Sequence, residues 1–146
     1  MYALRAIARI ARPSSPWLGL VACTLLASTS PVAAAPLGGD EIRSRSTGGE
    51  FRGYGATRRA QLEDMIWRLR PDGTAVSTSQ IRRGGRDSGQ FIEYRDSGTW
   101  RVEANRLCVD FGSVLRDLSG CYGVDGIGGD HVRMIGPVQL EGTLGR

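Results

Sequence analysis

Residues 62–81 read LEDMIWRLRPDGTAVSTSQI, and the architecture turns on how this run is divided. Periodicity leaves its first half ambiguous: Leu62, Met65, Ile66 and Leu69 fit one face of a helix, while Met65, Trp67 and Leu69 alternate as in a strand. The second half resolves it. Pro71-Asp72-Gly73 carries turn chemistry, with proline fixing φ and glycine accepting a positive one. Residues 74–81 alternate and are rich in β-branched side chains. Two strands joined as a hairpin are the simplest reading.

The same logic extends in both directions. Residues 91–94 and 99–103 read as strands, the second with Trp100 and Val102 on one face. Ala104, Asn105 and Arg106 connect it to residues 107–111, where Leu107, Val109 and Phe111 alternate. After a loop over 112–120, residues 121–124 and 131–135 form a late hairpin about a turn at 125–130, and 142–146 read as a frayed tail. Towards the N-terminus, residues 37–45 allow a short helix with Asp40 as N-cap and Glu41 in its first turn. Gly48, Gly49, Gly53 and Gly55 leave room for only a short edge strand near residues 50–54. Arg86-Asp87-Ser88-Gly89 recurs as Arg95-Asp96-Ser97-Gly98, a spacing far below that of repeat architectures, so both copies read as punctuation between strands. The expected fold is mainly β: a small antiparallel barrel or two-layer sheet of six to seven short strands, with a short N-terminal helix.

Ahead of this β-rich region stands a leader. Arg5, Arg9 and Arg12 precede an apolar stretch from Trp17 to Ala27, and no acid appears before Asp40. That stretch is about eleven residues, against the ~20 needed to cross a bilayer core. Small residues follow, with Val32 and Ala34 at the positions a signal peptidase reads. The expectation is a helical signal peptide over residues 1–34, removed to leave one domain over 35–146 in the periplasm or outside the cell. Leu20-Val21-Ala22-Cys23 also has a lipoprotein-box pattern; the alternative is a protein anchored through a lipidated Cys23.

Removing the leader takes three of the 19 basic residues and none of the 15 acids, so the net charge falls from +4 to +1. The basic character of the whole chain therefore gives no reason to expect a nucleic-acid partner, and no transmembrane span is expected after processing. Cys108 and Cys121 remain, and an even count in a small exported chain points to a disulfide.

The segments Leu37-Gly38-Gly39-Asp40-Glu41-Ile42-Arg43, Pro71-Asp72-Gly73-Thr74, Ser97-Gly98-Thr99-Trp100-Arg101-Val102-Glu103, Leu107-Cys108-Val109 and Gly120-Cys121-Tyr122 together resemble the small exported bacterial proteins grouped as domain-of-unknown-function family 995. The resemblance covers about residues 37–135. It implies a Gram-negative envelope or secreted location, a lipocalin-like or related β-fold and a Cys108–Cys121 disulfide, and it implies no activity. The loop at 82–89 and the glycine-rich approach to Tyr54 do not match the family pattern.

Residues with chemical potential are few. His131 is the sole imidazole, and Ser88, Ser97 and Ser113 lie in no nucleophile-elbow sequence. Asp87, Glu93, Asp96, Glu103 and Asp110 are five acids scattered among turns, as on a solvated surface. No catalytic residue, metal ligand set or cofactor motif is expected, and Gly53-Tyr54-Gly55 lacks the remainder of a nucleotide loop. The strongest binding candidate is the basic loop carrying Arg82, Arg83 and Arg86, whose guanidinium groups suit phosphates or carboxylates. Trp67, Phe91 and Trp100 are expected to fill the core. The leading expectation is a non-enzymatic envelope protein that binds a small apolar ligand or an anionic envelope component such as a lipid or glycan. A periplasmic protein-interaction or inhibitor module is second, and a hydrolase third.

Overall fold

Inward and outward side chains alternate along the strands, and each strand of the barrel pairs antiparallel with the next. The computed structural model describes residues 33–57, 61–82 and 90–146; Cys23 and residues 1–32 of the expected signal peptide lie outside them. The strands are β1 (Ala35–Pro36), β2 (Gly49–Ala56), β3 (Gln61–Leu69), β4 (Thr74–Arg82), β5 (Phe91–Glu103), β6 (Arg106–Phe111), β7 (Gly120–Gly128), β8 (His131–Ile135) and β9 (Gln139–Gly145), with one helix, α1 (Gly39–Ser46), and a 3₁₀ turn at Arg116–Leu118. Strands β2 to β9 pair antiparallel in sequence order, and β9 returns to β2, so eight strands close into an up-and-down barrel. Strand β1 is additional, lying against Asp125 and Gly126 of β7. Full closure leaves an up-and-down barrel without a continuous free edge.

The 62–81 hairpin forms as expected. Its turn is locked by the Asp72 carboxylate, which accepts from the Thr74 N–H at 2.8 Å; that bond holds the Asp72 carboxyl below its ordinary pKa. Several other expectations are corrected. Among the described residues there are nine strands rather than six or seven. Strand β2 is a full internal strand between β3 and β9, because its glycines permit close backbone approach to β9. Arg95-Asp96-Ser97-Gly98 is no turn but the middle of the thirteen-residue β5. Residues 125–128 continue β7, leaving only Gly129 and Asp130 to turn. Residues 142–145 are strand rather than tail, anchored by the buried Leu140 and Leu144 of β9. The N-cap of α1 is Gly38, with Asp40 inside the first turn; Asn105 Oδ1 accepts from the Gly39 N–H at 2.9 Å.

Trp67 occupies the middle of the barrel, fully buried, with ring centroids of Phe51, Phe111 and Tyr122 at 5.4, 5.3 and 5.6 Å. Strand β4 makes room by turning Ala75, Ser77 and Ser79 inwards, Ser77 lying directly opposite Trp67. Trp100 also packs in the core, and its indole N–H donates to the Arg70 carbonyl at 2.7 Å. Phe91 departs from expectation: it is 46% exposed, at the start of β5. One end of the barrel holds the β3–β4, β5–β6 and β7–β8 turns together with α1. Ile42 of α1 is fully buried, and Arg45 donates to the Gly129 carbonyl at 3.0 Å, so the helix is fastened across that end. Cys108 and Cys121 are register partners on β6 and β7, joined by the expected disulfide.

Candidate docking site at the far end of the barrel

Strand β5 is much longer than β6, and this mismatch creates the candidate site. Along one edge, β5 pairs with β4 from Phe91 to Thr99; along the other it pairs with β6 only from Gly98 to Glu103. Residues 91–97 of β5 therefore extend past the end of β6, towards the end of the barrel opposite α1. Among the described residues no strand covers the second edge of residues 91–95. A row of strand N–H and C=O groups left in this state is a template for another strand.

The side chains on this projecting segment alternate. Ile92 and Tyr94 face the barrel and are partly buried, with Tyr94 packed against the core. Glu93 and Arg95 face outwards and pair with each other at 2.7 Å. Asp96 marks where the edge is covered: its carboxylate accepts the N–H groups of Val114 and Leu115 at 3.1 and 2.9 Å. This pins the β6–β7 loop against β5, and Leu115 and Leu118 tuck into the core beneath it. The large apolar side chains exposed among the described residues are Tyr54, Phe91, Val114 and Ile135. All four lie in the half of the barrel away from α1.

Arg82 sits at the end of β4, opposite Phe91. Its guanidinium lies 4.8 Å from the Phe91 ring centroid and 3.3 Å from the Glu63 carboxylate. A stacked, ion-paired arginine of this kind is held in place. Arg83 and Arg86 lie outside the described residues, as do Asp87 and Ser88.

Among the described residues the remaining chemical candidates do not converge. His131 is exposed at the start of β8, at the α1 end, whereas Ser113 belongs to the loop at the opposite end. Glu103 pairs with Arg101 and Glu93 with Arg95, and Asp96 is engaged by backbone N–H groups. Glu103, Cys108 and Cys121 place ligand-type atoms within 4.8 Å of one another, but both sulfurs are consumed by the disulfide and offer no thiolate. Inside the barrel, Trp67 Nε1 is buried without a hydrogen-bond partner, and the buried Ser77 and Ser79 hydroxyls lie 3.4 Å apart. Sequence reasoning missed the open β5 edge. The signal was the charged, glycine-poor run Phe91-Ile92-Glu93-Tyr94-Arg95, obscured by treating the following Asp96-Ser97-Gly98 as a turn.

No protein-family model matches the chain, and neither a curated protein nor a solved structure matches it.

Proposed function

We propose that this is an exported, non-enzymatic binding module that works through the outside of its barrel, docking on a protein partner by the projecting β4–β5 end. Its place in the exported family it resembles, the removal of the leader and a periplasmic or secreted location belong to the same reading. The observation that carries it is the aromatic packing around Trp67, which fills the space a carrier barrel keeps for cargo. The disulfide suits an oxidising compartment.

Thermal melts with panels of fatty acids, phospholipids, glycans and polyanions test the reading. No ligand in these panels is expected to raise the midpoint saturably, because a filled interior has no differential affinity to offer the folded state. A saturable rise with an apolar or anionic compound would replace this reading with the ligand-binding one. That second reading draws on one observation: Trp67 Nε1 is buried inside the barrel without a hydrogen-bond partner, near Ser77 and Ser79 hydroxyls that bond each other.

A further inference from the structure

We propose that residues 91–95 of β5 form a homotypic docking strand: a second copy of this chain adds its own β5 edge antiparallel to the first, about a two-fold axis through Tyr94. This rests on the outer-surface reading above and names the partner of that same site. Strand addition satisfies the edge N–H and C=O groups by main-chain bonds, so partner choice falls to side chains facing each other across the new ladder.

Symmetry restricts the register. A two-fold axis normal to the sheet keeps inward residues facing inward ones, so the axis must pass through a residue that faces its own copy. Centring on Glu93 sets two carboxylates directly opposite, which is repulsive. Centring on Tyr94 sets Glu93 opposite Arg95 of the second copy, and Arg95 opposite Glu93 of the second copy, with the two Tyr94 rings across from each other. Glu93 and Arg95 are already paired within one chain at 2.7 Å. The dimer would therefore join two such pairs into a square of alternating charge on the outer face.

The composition of the segment favours a like edge. Natural edge strands are usually blunted by charge of one sign, proline or a bulge. Residues 91–95 contain no proline or glycine, and their two charges cancel.

Sedimentation velocity on the purified, disulfide-bridged protein over a range of concentrations tests this. The wild type is expected to show a reversible monomer–dimer equilibrium. Glu93→Arg and Arg95→Glu, each alone, should weaken it at least tenfold, because each sets like charges opposite. An equimolar mixture of the two variants should restore dimer, since each supplies the complement of the other. Both side chains are exposed, 46% for Glu93 and 77% for Arg95, and melting curves verify folding. Concentration-dependent slowing of amide exchange over residues 91–95 of the wild type provides a readout free of substitutions. A monomer at every concentration, a dimer indifferent to both reversals, or a mixture that stays monomeric would overturn the inference. The outer-surface reading would stand or fall separately, on cargo uptake in the ligand panels. A foreign strand docking at this edge on a monomeric protein would likewise overturn the homotypic assignment while leaving that reading in place.

Discussion

Gly98→Ala probes the least obvious feature of the fold, the passage of β5 straight through Arg95-Asp96-Ser97-Gly98. Gly98 lies between Ala75 of β4 and Phe111 of β6. A Cβ there would press on the Asp110 carbonyl oxygen, 2.7 Å from the carbonyl carbon and 2.9 Å from the Phe111 Cα. These are backbone atoms of a paired strand and have no rotamer by which to move aside. Overpacking a tight site costs roughly 1–3 kcal/mol, and the backbone clash places Gly98→Ala at the upper end. The gain from replacing a strand glycine offsets about 0.5–1 kcal/mol of that, for a net loss of about 2 kcal/mol. With a urea slope of about 1.5 kcal/mol/M, the midpoint falls by about 1.3 M at an unchanged slope. Gly38→Ala is the control: nothing lies within 4 Å of its Cβ position, and its φ of −71° suits alanine. Equal midpoints for the two variants would refute a continuous β5 lying tight against β6 and return residues 95–98 to a turn.

Other outcomes follow from single contacts. Replacing both Cys108 and Cys121 with serine should cost up to about 3 kcal/mol, the chain-entropy value for a loop of ~15 residues, read as a urea midpoint that matches the reduced wild type. Ile42→Ala removes the fully buried side chain by which α1 is fastened and should cost about 2–4 kcal/mol, with amide protection lost first in α1. Burial pushes the Tyr122 phenol above its ordinary value of 10.0, and its hydroxyl donates to the Leu118 carbonyl at 2.7 Å. Below pH 10 neither folded nor unfolded chain ionises there and stability is intact. Above it the unfolded chain ionises first, so stability falls by up to about 1.4 kcal/mol per pH unit. Tyr122→Phe should remove that alkaline slope while costing about 1 kcal/mol at neutral pH through the lost hydrogen bond.

The hairpin at residues 62–81 was legible because turn chemistry and alternation coincide in one short window. So were β6 and β8, whose inward positions Leu107, Val109, Phe111, Val132 and Met134 are all large and apolar. Strand β2, the middle of β5 and the end of β9 were not. Their inward positions include Gly53, Asp96, Gly98 and Gly142, residues that taken locally signal a loop and are explained only by how closely a distant strand approaches. The site divides along the same line. Arg82 stands out in the sequence as a basic residue, but its partner Glu63 is brought beside it only by the β3–β4 pairing. The open edge depends on a difference in length between β5 and β6, which no single window contains.

The central claim is that the barrel is filled around Trp67 and acts from its outside. Diffraction from crystals pressurised with xenon tests it most directly, because xenon enters apolar voids large enough to receive cargo. No xenon is expected among Phe51, Trp67, Ser77, Phe111 and Tyr122. A well-occupied xenon atom beside Trp67 would reveal an interior with room for a guest and contradict it.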